Sequence, residues 1–138
     1  MSIRIERTDD IAACLELRRL VFIQEQGVTE ADEMDGLDDA SLHLLAIDGI
    51  TPVGTARILF EGETAKIGRV CVLKSHRGTG LGAGLIQAAL AQAKGKAIRA
   101  KLGAQVHAIG FYQMLGFTAF GPVYDDAGID HRDMVRDL

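Results

Sequence analysis

A glycine-rich stretch, Arg77-Gly-Thr-Gly-Leu-Gly-Ala-Gly84, constrains the fold of this 138-residue chain more than any other feature. An apolar pattern with helical spacing begins inside it and continues to about Lys94, so the glycines predict a tight turn that opens a helix. Such a turn presents free backbone N–H groups and the positive end of the helix dipole. The sequence therefore predicts a site for a phosphate-bearing ligand at this turn.

The glycine stretch lies in a long segment without acidic residues. From Thr64 to Tyr124 there is no Asp or Glu, although the chain has 19 of them, and eight basic residues make the segment formally +8. The other seven basic residues and all 19 acids leave the rest of the chain at −12, which gives the net charge of −4. A locally cationic segment favours an anionic ligand. The acidity of the whole chain argues against nucleic acid as a partner.

Composition predicts a cytoplasmic protein with no membrane partner and no metal site. The first ten residues are polar and charged, unlike a secretory signal. The longest apolar run, 81–93, contains Gln87 and Gln92 and is too short to cross a bilayer. Cys14 and Cys71 lie in apolar stretches without the spacing of a disulfide or metal pair, so we expect both to be reduced core residues.

Apolar patterning predicts one α+β domain over residues 1–138. Strand-like patterns occur at 3–5, 42–47, 53–60, 66–73, 98–102, 117–123 and 131–135. Helical patterns occur at 11–24, 81–94 and 106–115. The segment 27–40 is acidic and is expected to form a loop with at most one short helical turn. The order is a run of antiparallel strands, a β-α-β-α unit and a final hairpin.

Two common nucleotide-binding motifs fit the glycine stretch poorly. Residues 78–83 match the G-x-G-x-x-A form of the dinucleotide fingerprint, but four residues separate them from the preceding strand. The ribose-binding acid is also missing near Lys101, so a nucleotide-dependent oxidoreductase is disfavoured. A Walker P-loop is excluded because its Gly-Lys-Ser/Thr ending does not occur. A turn whose glycines merely allow close packing on a sheet remains open, although it leaves Arg77 and the missing acids unexplained.

Two motifs resemble the GNAT N-acetyltransferase family. Arg77-x-x-Gly80-x-Gly82 resembles the family signature Q/R-x-x-G-x-G/A, and Ala108-x-x-Phe111-Tyr112-x-x-x-Gly116-Phe117 resembles the block A-x-x-[FL]-Y-x-x-x-G-F. Three further segments resemble the ElaA-like subgroup, namely Val21-Phe22-x-x-Glu25-Gln26, Asp35-Gly36 and Gly128-Ile-Asp-His131-x-Asp-Met134. The resemblance covers essentially the whole chain. It implies the GNAT acyltransferase fold, a mixed and mostly antiparallel sheet of about six to seven strands flanked by helices.

The resemblance implies acetyl-CoA as the cofactor and co-substrate. In the family the glycine loop holds the pyrophosphate, the preceding strand bonds the pantetheine arm, and that strand splays from the next one to open a cleft. Gln105 stands where the family often has an Asn that contacts pantetheine, and Lys74 stands where a proline is frequent. The implied cofactor-binding residues are Cys71, Val72, Arg77, Gly78, Thr79, Gly80, Leu81, Gly82, Gln105 and Tyr112.

The resemblance also implies catalytic roles. Tyr112 stands where many members carry a tyrosine near the leaving thiolate, which it can protonate as a general acid; a tyrosine merely packed on the sheet is the alternative. The amine must be neutral when it attacks, and the candidates for the base are Glu25, Glu33, Asp35 and His131. We favour Glu25, which ends the first helix close to the family's substrate cleft. Cys71 has no paired His, so we expect it to be structural.

The expected function is direct transfer of the acetyl group of acetyl-CoA to an amine. The acceptor is a small amine, a lysine or an N-terminal amine, and the acidic segment 30–39 would attract it if it is cationic. The alternative is a non-catalytic acyl-CoA-binding regulatory module, which keeps the cofactor site without turnover. The strand-rich C-terminal hairpin leaves a homodimer open.

Overall fold

A computed structural model describes residues 3–138, and within them the chain forms a seven-stranded sheet. The strands are β1 Ile3–Thr8, β2 Leu42–Asp48, β3 Thr51–Glu61, β4 Thr64–Val72, β5 Arg99–Gln105, β6 Thr118–Asp126 and β7 Ile129–Asp137. Their order is β1-β2-β3-β4-β5-β7-β6, with β4 and β5 parallel and the other neighbours antiparallel. The expected α+β class and mostly antiparallel sheet are confirmed.

The helices follow the predicted positions. They are α1 Ile11–Arg18, α2 Glu30–Glu33, α3 Leu81–Ala93 and α4 Ile109–Met114. Asp10 caps α1 by accepting a hydrogen bond from the Ala13 N–H at 3.1 Å. After α1 the chain continues as a π-helical segment, Arg19–Glu25, so the first helical region ends within a residue of the predicted end.

The helices α1 and α3 pack on opposite faces of the sheet. Alternate residues of β2 point to different faces, with Leu44 in the core cluster under α3 and Leu45 in the cluster under α1. At Gly54 of β3, an added Cβ would lie 3.0 Å from Leu85 Cδ1 and 3.1 Å from the Cys71 carbonyl oxygen. The absence of a side chain there lets α3 approach the sheet closely. Cys71 is buried and its thiol is free, as expected for a core residue.

The sheet is split between β4 and β5. Within the described residues these strands pair at Thr64–Lys66 and Arg99–Lys101, and the pairing does not continue to their C-terminal ends. A bulge in β4 accompanies the split, because Thr55 pairs with Cys71 whereas Arg57 pairs with Gly68. Arg69 lies in this bulge with a left-handed φ of 52°. Bulges bend a strand and increase its twist, and the splay expected from the resemblance is confirmed.

Candidate active site

A cavity of about 500 Å³ occupies the split between β4 and β5. Residues 66–70 of β4 and 101–105 of β5 contribute to its walls. Phe22 packs with the core under α1 and Tyr112 packs with the core under α3, and both line the cavity. Side chains from both faces of the sheet therefore line the cavity.

The glycine turn follows the C-terminal end of β4 and precedes α3, and none of residues 71–82 is among those that line the cavity. Gly78 and Gly80 have φ values of 75° and 84°, in the left-handed region that glycine adopts without strain. The Gly84 N–H donates to the Gly80 carbonyl at 3.0 Å, so the three amides before Gly84 precede the first helical bond. A Cβ built at Gly78 or Gly80 would meet no described atom within 4 Å. The turn thus offers open space and unsatisfied N–H groups, which fit the pyrophosphate of acetyl-CoA.

Arg77 of this turn is held by two neighbours. Its Nη1 and Nη2 atoms donate to the two carboxylate oxygens of Glu25 at 2.5 and 2.8 Å, and its Nε donates to the Val72 carbonyl at 3.1 Å. The hydrogen bond from Arg77 lowers the pKa of Glu25. Glu25 also lies outside the residues that line the cavity. Because a carboxylate paired in this way takes up a proton poorly, the ion pair weighs against Glu25 as the base.

Other residues near the turn make protein contacts of their own. Thr79 Oγ1 donates to the His76 carbonyl at 2.7 Å. His76 Nε2 lies 2.8 Å from Asp48 Oδ2. Burial raises the pKa of Cys71 to about 12, which keeps it a thiol and fits its expected structural role.

Gln105 bridges the open end of the split. Its Nε2 donates to Gln26 Oε1 at 3.0 Å, and its Oε1 accepts from His107 Nε2 at 2.7 Å. Gln105, which we predict to contact pantetheine, is therefore also bonded to Gln26, at the end of the first helical region. Gln26 also lines the cavity, and we missed its role because its partner lies 79 residues away.

Tyr112 presents a free phenol to the cavity. Its ring packs edge-to-face against Phe111 and Phe117, with centroids 5.0 and 6.1 Å away. Its hydroxyl makes no hydrogen bond to any residue between 3 and 138. Burial raises the pKa of Tyr112, so the hydroxyl keeps its proton. Tyr112 is thus packed among aromatic side chains, as in the alternative of a purely structural tyrosine, but its hydroxyl also has a proton available.

A second aromatic cluster lines the cavity on β6 and β7. The Tyr124 hydroxyl donates to Asp133 Oδ1 at 2.7 Å, and its ring stacks on His131 with centroids 6.0 Å apart. His131 Nδ1 lies 2.7 Å from the Ile129 carbonyl oxygen, which can only accept, so Nδ1 carries a hydrogen. In the neutral ring the lone pair is then on Nε2. Of the four candidate bases, His131 and Glu33 line the cavity.

The acidic segment is tied down by arginines beneath it. Glu33, Asp35 and Asp38 form ion pairs with Arg18, Arg57 and Arg69 at distances of 2.6–3.2 Å. The hydrogen bond from Arg57 lowers the pKa of Asp35 to about 2. These three carboxylates are neutralised, which corrects our expectation that the whole segment attracts a cationic acceptor.

The basic segment is likewise less cationic in space than in sequence. Four of its eight basic residues pair with acids from outside the segment, at 2.5–3.8 Å. These four are Lys66, Arg69, Arg77 and Lys101. The attraction for phosphate therefore comes mainly from the backbone of the turn and the helix dipole rather than from a field of free cations.

Neither a membrane-spanning helix nor a metal site is found among the described residues. No helix between residues 3 and 138 is long and apolar enough to cross a membrane. Over the same residues, no group of three or more His, Cys, Asp or Glu side chains could hold a metal ion.

A split sheet of this order, with a glycine turn opening the crossover helix at the split, defines an N-acyltransferase fold. The chain belongs to the GNAT acetyltransferase family, because residues 20–138 match the model of the acetyltransferase (GNAT) domain. It is 40% identical to the uncharacterized N-acetyltransferase YjcF of Bacillus subtilis over 124 residues, which cover 88% of each chain.

Two solved structures are similar to this chain over nearly its whole length, and one of them is ElaA. The crystal structure of Escherichia coli ElaA superposes with a TM-score of 0.86 at 31% identity, covering 98% of this chain and 99% of that one. An acyl-CoA N-acyltransferase from Pseudomonas aeruginosa superposes with the same TM-score at 30% identity, covering 99% of both chains. The predicted family and subgroup are confirmed.

Proposed function

We propose that this protein transfers the acetyl group of acetyl-CoA to an amine. The observation that carries the proposal is that a glycine turn with open space follows β4, the strand that separates from β5, and that Tyr112 lines the cavity in that split with a hydroxyl that bonds to no residue between 3 and 138. Membership of the GNAT family and the likeness to an acyl-CoA N-acyltransferase support the same activity.

The chain would bind the cofactor mainly through its backbone. Residues 77–82 surround the pyrophosphate position, where Gly78 and Gly80 allow the main chain to approach the phosphate oxygens closely. The edge of β4 that faces β5 is unpaired beyond Lys66, so Cys71 and Val72 lie where main-chain groups can meet the pantetheine arm. Gln105 would line the same path with its side-chain amide.

Two side chains would handle protons. Bound acetyl-CoA supplies a thioester whose carbonyl carbon reacts with the amine and whose sulfur leaves as a thiolate. Tyr112 donates its hydroxyl proton to that sulfur, and its raised pKa keeps the proton available until the C–S bond breaks. His131 Nε2 accepts the proton that the amine gives up, because its lone pair is free while Nδ1 is held by the Ile129 carbonyl. We therefore prefer His131 to Glu25 as the base.

A transfer assay with removal and rescue of His131 tests this function. We expect the wild-type chain to release CoA and acetylate at least one member of a panel of small amines, lysine peptides and peptide N termini. His131→Ala should lower the rate by about 100-fold, and added imidazole should restore part of the rate, because it replaces a missing base. The control is Tyr112→Phe, whose rate imidazole should not restore.

Two outcomes would contradict parts of the proposal. Full activity of His131→Ala would remove His131 as the base. Binding of acetyl-CoA without acetylation of any amine would favour the alternative, a non-catalytic acyl-CoA-binding module.

A further inference from the structure

Two consecutive residues, Glu25 and Gln26, contact both sides of the split sheet. Glu25 binds Arg77 of the turn that follows β4, through two hydrogen bonds of 2.5 and 2.8 Å. Gln26 accepts a hydrogen bond of 3.0 Å from Gln105, the last residue of β5. The two strands themselves pair no further than Lys66 and Lys101 in the described chain. Residues 25 and 26 therefore form a strap that joins the strands where they have separated.

Both ends of the strap are held in place. Arg77 also donates from Nε to the Val72 carbonyl at 3.1 Å, which fixes its guanidinium against the end of β4. Gln105 also accepts from His107 at 2.7 Å, which orients its amide toward Gln26. The two side chains that the strap binds, Arg77 and Gln105, are thus each oriented by a second hydrogen bond.

The middle of the strap is also anchored. The π-helical segment ends in backbone hydrogen bonds from Gln26 N–H to the Val21 carbonyl at 3.0 Å and from Val28 N–H to the Phe22 carbonyl at 2.9 Å. Val21 and Val28 are buried. The backbone that carries Glu25 and Gln26 is therefore attached to residues packed in the protein interior, and it can hold the two sides of the split at a fixed distance.

We propose that Glu25 and Gln26 are positioning residues that fix the separation of β4 and β5, and so set the width of the channel for the thioester arm. This inference rests on the proposed function, in which that arm passes between the two strands. Neither residue is required to exchange a proton. The two contacts are partly exposed, so each should contribute only modestly to holding β4 and β5 at their separation. Removing both contacts should therefore loosen the split more than removing one.

The first test needs no ligand. Amide hydrogen exchange is measured at residues 73–80 and 102–107 for the wild type, Glu25→Gln, Gln26→Ala and the double variant. We expect exchange in both segments to accelerate about tenfold in the double variant, because local opening becomes easier. The control is Gln24→Ala, an exposed neighbour that should leave exchange in both segments unchanged. Unchanged exchange in the double variant would overturn the strap.

The second test separates the arm of the cofactor from its nucleotide. We expect calorimetry to show the double variant binding acetyl-CoA about tenfold more weakly, and adenosine 3′-phosphate 5′-diphosphate, which keeps the pyrophosphate and lacks the arm, within about twofold of the wild type. Equal weakening of both ligands would overturn the channel role, because only the phosphate turn would then be affected. A wild-type chain that bound no acetyl-CoA would overturn the proposed function and the channel role together. Unchanged exchange with intact acetyl-CoA binding would overturn the strap alone.

Discussion

Replacing Arg18 with methionine should lower the free energy of unfolding by about 3–5 kcal/mol, as expected when one member of a buried ion pair is removed. The Arg18 side chain is 1% exposed and donates to Glu33 at 3.0 and 3.1 Å and to Asp38 at 2.7 and 3.3 Å. Methionine fills similar space but removes the cation that bridges two carboxylates, so that the buried Glu33 keeps only Arg69 and Asp38 keeps only Arg57 as described partners. Urea unfolding at neutral pH measures the loss.

The adjacent residue provides a matched control. Arg19 also donates through two nitrogens to one carboxylate, that of Glu16, at 3.1 and 2.6 Å. Its side chain is 45% exposed, so water solvates both charges when the pair is broken. Arg19→Met should therefore lower the free energy of unfolding far less than Arg18→Met does. Equal costs for the two variants would contradict the assignment of stability to the buried network.

A milder change covers the case in which Arg18→Met does not fold. Arg18→Lys keeps the positive charge but loses the planar fork that reaches both Glu33 and Asp38. We expect its free energy of unfolding to lie between those of the wild type and Arg18→Met. A lysine variant as stable as the wild type would show that charge alone, and not the two-carboxylate geometry, matters at this site.

Tyr112→Phe should lower kcat by about 100-fold and change the Kd for acetyl-CoA by less than about twofold. Phenylalanine keeps the edge-to-face packing against Phe111 and Phe117 and removes only the hydroxyl, which has no partner within residues 3–138. The proton for the leaving thiolate is then lost, whereas the binding surface is kept. Steady-state kinetics and calorimetry on the same preparations measure the two quantities.

Tyr124, the other tyrosine of the chain, is the comparison. It lines the same cavity, but its hydroxyl is already donated to Asp133 at 2.7 Å, and burial raises its pKa. Tyr124→Phe should therefore lower kcat by less than about tenfold. If Tyr112→Phe turned over as fast as the wild type, Tyr112 would not be the general acid and its packing role alone would remain.

Local patterns in the sequence were enough to predict the main elements. The acid-free glycine turn before an apolar helix predicts the loop at residues 77–80 and α3, because both depend on neighbouring residues. The strands β2 and β3 follow from their local apolar patterns for the same reason. The π-helical form of residues 19–25 was not predicted, because an apolar pattern indicates a helix but not which carbonyl each backbone N–H bonds.

Charged residues were harder to predict because their partners lie far away along the chain. Arg57 meets Asp35 across 22 residues and Arg69 meets Glu33 across 36, so three of the six carboxylates of the acidic segment are neutralised in space. Glu25 was selected as a base from its position near the cleft, whereas Arg77, 52 residues away, engages its carboxylate. Spacing within one motif carries no information on such contacts.

Titration of acetyl-CoA into the wild-type chain, Gly80→Glu and Gly95→Glu tests the central claim most directly. Gly80 and Gly95 flank α3 with φ values of 84° and 86°, and neither has a described atom within 4 Å of an added Cβ, so glutamate is similarly strained at both. Only Gly80 lies at the proposed phosphate site. We predict that the wild type and Gly95→Glu bind, and that Gly80→Glu binds at least about 100-fold more weakly, because its carboxylate repels the pyrophosphate. No binding by the wild type, or equal binding by all three, would contradict the account.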